Sequence, residues 1–175
     1  MICAGACEQA VSQWASTFAE RALHISKTMG DLAGPMLFAI LMGSARAFYG
    51  KYGEKINLHS FMFGSGILCL FSYLLISLSS SPVLGLIGCA LCGLSVGILW
   101  PGTFSISSSR IKGGGTLLFA LLALGGDVGC SGGPTVVGIV SDLFSDDLRK
   151  GILVASLFPI FLLIFLFLSR KTKQD

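Results

Sequence analysis

The chain has 175 residues, of which 53% are hydrophobic and only 12% charged. A soluble domain carries about a quarter charged residues, so an ordinary water-facing surface is excluded and a membrane protein is expected. The 12 Lys and Arg against 9 Asp and Glu give a net charge of +3. The basic residues are scattered between apolar blocks with no aromatic-interleaved basic face, which disfavours a nucleic-acid partner.

The opening stretch, 1–19, is apolar but interrupted by Glu8, Gln9, Ser12, Gln13, Ser16 and Thr17. Glu8, Ser12 and Ser16 repeat at i, i+4, as do Gln9, Gln13 and Thr17, which makes one helix face polar. A carboxylate turned to lipid is costly, so Glu8 is expected to point into a bundle or a water-filled cavity. There it can bind a hydroxylated solute or carry a proton, and Trp14 offers a face for a sugar ring. The alternative is a helix lying flat in the interface with its polar face in water. A cleaved secretory signal does not fit, because there is no basic n-region.

The next segment, 29–50, keeps Asp31 and Arg46 near its ends. Ile56 to Ser109 then contains no Asp, Glu, Lys or Arg. At about 20 residues per crossing that run holds two spans, 58–78 and 83–107, divided at Ser79 to Pro82. A fifth segment, 115–141, has Asp127 inside it, and a sixth, 150–169, ends in Arg170, Lys171 and Lys173. Six transmembrane helices are expected. A barrel is excluded, because the blocks are about twice the length of a membrane strand and lack alternation.

With six crossings, Arg46, Lys51, Lys55, Arg110, Lys112, Arg170, Lys171 and Lys173 share one side. Arg21, Lys27, Arg149 and Lys150 take the other. The excess of positive charge makes the first side cytoplasmic, so an integral, multi-pass protein of the cell membrane with both termini inside is expected.

Small residues recur every four positions in the fourth span, at Gly85, Cys89, Gly93 and Gly97, and in the fifth, at Gly125, Gly129 and Gly133. Such ladders let helix backbones approach closely in lipid, and a smooth seam also permits rocking. Pro35, Pro101, Pro134 and Pro159 each remove a backbone hydrogen bond within a span. The six cysteines, including the Cys89-x-x-Cys92 pair, lack a neighbouring cation to stabilise a thiolate and read as small packing residues. His24 and His59 sit at span ends as interfacial side chains. Asp127 either hydrogen-bonds backbone groups freed by its neighbouring glycines and Pro134, or titrates during transport. Gly30-Asp31 before Gly34-Pro35 is echoed by Gly126-Asp127 before Gly133-Pro134, as in two three-helix units of opposite orientation.

The segments Gly5 to Trp14, Gly43 to Lys55, Trp100-Pro101-Gly102 and Gly126 to Pro134 resemble the second six-helix half of the major facilitator superfamily, in particular its fucose-permease-like sugar transporters. The resemblance covers nearly the whole chain. It implies an all-α fold, one half of a major-facilitator fold built from two inverted three-helix repeats. Members have twelve helices with the solute between two halves. The chain is therefore expected to be a fragment of a twelve-helix protein, or to assemble with a second copy or a separate N-terminal six-helix half. The resemblance gives Glu8 and Trp14 to the central cavity and Gly43, Arg46, Gly50 and Lys51 to a cytoplasmic gating loop; the polar helix face adds Gln9 and Ser12 to solute binding, and their membrane depth makes Glu8 and Asp127 the proton-coupling candidates. The loop's usual Asp before the Arg is replaced by Ala45. The expected function is secondary active transport of a small polar solute, with a sugar as the candidate, coupled to protons by alternating access, without enzymatic activity, cofactor or metal. A membrane assembly subunit that transports nothing is the alternative.

Overall fold

The computed structural model describes residues 1–111 and 113–171, so Lys112 and Lys173 lie outside the described residues. All its described elements are helical: α1 (Ile2–Ser12), α2 (Ala15–Leu23), α3 (Lys27–Tyr52), α4 (Leu58–Leu78), α5 (Pro82–Val96), α6 (Leu99–Arg110), α7 (Gly115–Leu143), α8 (Leu148–Ala155) and α9 (Leu157–Lys171), with a single 3₁₀ turn at Gly53–Lys55. The starts follow local chemistry. Ser26, Asn57 and Asp147 accept hydrogen bonds from the amides of Met29, Ser60 and Arg149, satisfying donors that a helix N-terminus leaves open. Pro82 opens α5 at a position where its missing N–H costs nothing. α2 stops at His24, whose φ of 55° is left-handed.

Among the described residues, five segments are long and apolar enough to cross a membrane: Lys27–Lys55, Leu58–Leu78, Val83–Arg110, Gly115–Leu143 and Leu148–Ser169. The protein is thus an all-helical, multi-pass membrane protein in its architecture. The opening segment differs from the expected single span over 1–19. It is broken at Gln13–Trp14 into helices of 11 and 9 residues, each too short to cross a bilayer alone at 1.5 Å per residue. Nor does it lie flat on the outside. Ala4, Ala6, Cys7, Ala10 and Val11 of α1 are fully buried, and α1 runs along α7 with further contacts to α5 and α9.

The bundle's interior combines large apolar side chains such as Met62, Ile76 and Leu99 with small residues and a few serines, and its outside is also apolar. Ser72, Ser77, Ser95, Ser141 and Ser156 are buried, while Ile40, Ile67, Phe71, Leu121 and Phe165 are each more than half exposed. A surface of that kind belongs in lipid. Tyr73 Oη, fully buried, donates to the carbonyl of Cys7 at 2.9 Å, joining α4 to α1. Cys7, Cys69, Cys89 and Cys92 are buried free thiols.

Two helix pairs dominate the packing, α1 with α7 and α3 with α5. Both are closed by glycine. A Cβ added to Gly129 would strike the carbonyl of Ile2, and one added to Gly133 would lie 2.7 Å from that of Ala6. On the other pair, a Cβ on Gly93 would strike the carbonyl of Phe38, and one on Gly97 would lie 2.9 Å from that of Met42. These are backbone-on-backbone seams, the close approach that the four-residue ladders imply.

The C-terminal ends of α3, α6 and α9 gather at one end of the bundle with the N-terminus of α4. Arg110 Nη2 donates to the carbonyl of Ser169 at 2.8 Å, and His59 Nε2 lies 3.0 Å from Ser169 Oγ. Lys51, Lys55 and Arg110, all exposed, therefore crowd the same end.

Candidate functional site

The segment from Gly43 to Lys51 is helical, not a loop, because α3 continues to Tyr52 and the chain turns only at Gly53 to Asn57. That extension carries Arg46 one helix turn or more back from the α3 terminus and against α5. The neighbouring segment explains why it stays there. Pro101 has no amide hydrogen, so the carbonyl four residues earlier, that of Gly97, loses its helical donor. The helix breaks at that point, between α5 and α6. Arg46 Nε donates to the orphaned Gly97 carbonyl at 3.3 Å, replacing the missing bond with one from another helix.

The same guanidinium faces α1. Arg46 Nη2 lies 3.6 Å from Glu8 Oε2, with the Glu8 side chain 14% exposed and that of Arg46 46% exposed. Arg46 thereby joins three segments, one of them at a break. Glu8, Arg46, Trp100, Pro101 and Phe104 line a cavity of 430 Å³. Trp100 and Phe104 form a tilted aromatic pair with ring centroids 6.3 Å apart, and Phe104 continues to Phe119 of α7 at 5.6 Å.

Two polar atoms at this cavity are buried without a hydrogen-bond partner, Glu8 Oε2 and Trp100 Nε1. Buried polar groups are almost always paired, so each such atom needs an explanation. One is an acceptor and the other a donor. Together with an aromatic wall they complement a hydroxylated solute, which donates to the carboxylate and accepts from the indole.

Other residues expected in the site lie elsewhere. Gln9, Ser12 and Trp14 are not among the side chains lining this cavity. Trp14 Nε1 donates to the Pro134 carbonyl at 2.9 Å, and its ring packs over Gly138, so its polar handle is spent on fixing α7. Asp127 is exposed on α7, away from the cavity lining. It heads a stripe with Ser131 and Thr135, both exposed, whose hydroxyls donate to the carbonyls of Asp127 and Ser131 respectively. Gly43 and Gly50 face open space, with nothing within 4 Å of an added Cβ, and Lys51 packs its ammonium over the Tyr52 ring. At the far end of α3, Asp31 accepts a hydrogen bond from Ser16 of α2.

Neither family models, curated proteins nor solved structures match the chain. The site must be read from its own chemistry.

Trp100 and Phe104 are the residues that sequence reasoning left out of the site. Trp100-Pro101 within an apolar run was the signal available, since proline at i+4 marks a carbonyl needing a new donor. The pairing of Glu8 with Arg46 spans 38 positions and had no local signature.

Proposed function

We propose that this chain is one half of a secondary active transporter of the major facilitator type, and that a small polar solute, of which a sugar is the best chemical match, binds beside Glu8, Arg46 and Trp100. The observation carrying this reading is the buried Trp100 donor without a hydrogen-bond partner beside the Glu8 carboxylate, whose Oε2 is ion-paired with Arg46 at 3.6 Å but accepts no hydrogen bond, on one 430 Å³ cavity walled by aromatic rings. Pockets of roughly 300–1,000 Å³ suit small ligands. In this reading Glu8 serves both as a solute acceptor and as a proton-coupling carboxylate, since losing its charge releases Arg46 from α1.

The helix pairing supports a construction from two inverted triplets. Counting α1 with α2, α5 with α6 and α8 with α9 as single segments, the first packs along the fifth and the second along the fourth. That is the exchange expected when one triplet is rotated onto the other. The first segment of each triplet is broken near its middle, as is the last segment of the second, between α8 and α9. The exposed stripe of Asp127, Ser131 and Thr135 supports a missing partner surface, because a carboxylate at membrane depth must be covered by protein or water. We assign that cover to an N-terminal six-helix half or a second copy, and place both termini on the cytoplasmic side of the cell membrane.

The chain has two tryptophans, so the difference in fluorescence between the unaltered protein and Trp100→Phe reads the site directly. Titrating the reconstituted protein with a panel of monosaccharides should give a saturable change that Trp100→Phe and Glu8→Gln each remove. An emission spectrum insensitive to every sugar, together with a stably co-purifying membrane partner, would instead establish the assembly-subunit reading.

A further inference from the structure

A second pair of hollows lies at the basic end of the bundle, outside the solute site. α3 and α4 are adjacent in sequence but splay apart, and α5 floors the cleft between them. The cleft has a volume of 630 Å³ and is walled by Ser44, Phe48, Phe61, Gly64, Leu68 and Leu94. Its outer rim is open at Gly64, where an added Cβ would meet nothing within 4 Å. Beside it, a hollow of 660 Å³ is lined by Asn57, His59, Ser60, Ser105, Ser109 and Arg110. The two meet at Ser60, which lines both. An apolar cleft thus adjoins a polar chamber holding a guanidinium.

We infer that this joined feature is a binding site for an anionic glycerophospholipid, with one acyl chain in the α3–α4 cleft and the phosphate in the chamber at Arg110. Three observations select that occupant. The walls change from apolar to polar along a single path, as the ligand does. The ammonium groups of Lys51 and Lys55 and the guanidinium of Arg110 stand at the same end, so the local charge favours an anion over a zwitterion. The outward face of the cleft is on helices of membrane length, where bilayer lipid is the surrounding medium. Arg110 lines the chamber and also bonds the Ser169 carbonyl, and guanidinium suits phosphate because it donates from a rigid planar fork.

The site is independent of solute binding and needs no solute to be tested. The protein reconstituted in vesicles of phosphatidylcholine doped with a diazirine-tailed lipid is irradiated, and labelled peptides are mapped by mass spectrometry. Tailed phosphatidylglycerol should label 44–48 and 61–68 more than tailed phosphatidylcholine does, by about fivefold, the factor one cation contributes near an anionic surface. Gly64→Phe should abolish that labelling, whereas Gly132→Phe, also at a position with open space around an added Cβ, should not. Arg110→Gln should erase the preference for the anionic lipid while leaving the protein folded, as judged by unchanged thermal unfolding. Uniform labelling of all outward helices, or labelling indifferent to Gly64→Phe, would reduce the feature to ordinary boundary lipid and overturn the proposal. Equal labelling by both lipids would overturn its anionic headgroup, and crosslinked dimers through the cleft would show a second copy in place of lipid.

Discussion

Of the three broken segments, α1–α2 and α5–α6 share a position in the packing and differ in how the break is made. Each runs beside a glycine-closed neighbour, α1 along α7 and α5 along α3. In α5–α6 the cause is covalent: Pro101 removes a donor, the Gly97 carbonyl opens, and Arg46 fills it. In α1–α2 no proline or glycine stands within Gln9 to Phe18, and the observed bond at the break is tertiary, from Trp14 to the Pro134 carbonyl. One distortion is written into its own helix, and the other is imposed by a neighbour. The first can therefore be undone locally, whereas the second depends on α7.

The seams should be equally intolerant on both sides of this comparison. Gly93→Leu and Gly129→Leu place side chains on the carbonyls of Phe38 and Ile2, and no rotamer escapes a backbone collision. Each should cost about 3 kcal/mol or more, read as loss of monodisperse protein on size exclusion in detergent. A variant at either glycine that purifies normally would show that the helix pair can separate without harm.

The breaks themselves should then part company. Arg46→Ala strands the Gly97 carbonyl and leaves Glu8 without its cation, at a cost of about 2 kcal/mol. Because Arg46 is 46% exposed, the ion pair itself contributes the smaller share. Pro101→Ala returns an amide to Gly97, so Arg46→Ala in that background should cost less, with a coupling on the order of 1 kcal/mol. Additive thermal shifts in the double-mutant cycle would mean that Arg46 does not act through the proline-freed carbonyl.

Much of the architecture was legible because lipid imposes simple rules. Of the four segments from 58–78 onward, α4 and α7 lie within two residues of the expected bounds, since apolar runs of membrane length admit little else, whereas 83–107 and 150–169 are each divided into two helices, over 82–110 and 148–171. The ladders at Gly93, Gly97, Gly129 and Gly133 meet backbones as their spacing implied, because period four selects one helix face. The limits of 29–50 were equally legible, α3 running only two residues further at each end, to Lys27 and Tyr52. The site was only half legible. A polar stripe identifies Glu8 as needing shelter, but not whether Arg46, 38 residues on, or a solute provides it. Trp14 and Trp100 look alike in sequence, yet one spends its N–H on Pro134 and the other keeps it at a cavity. Only the three-dimensional placement of carbonyls separates them.

Trp14 also gives the weakest and most discriminating perturbation. Trp14→Phe keeps the ring over Gly138, whose Cβ position lies 3.0 Å from the indole, but deletes the bond to Pro134. The cost should be about 1 kcal/mol, far below that of a seam variant. Its structural effect should exceed its energy, because the bond is what the neighbour contributes to the break. Spin labels on α1 and α2 should therefore report a changed interhelix distance in Trp14→Phe, while labels flanking Gly97 stay fixed. If the α1–α2 distance is unmoved, the polar run Gln9 to Thr17 interrupts the helix by itself, and the two breaks are both local in origin after all.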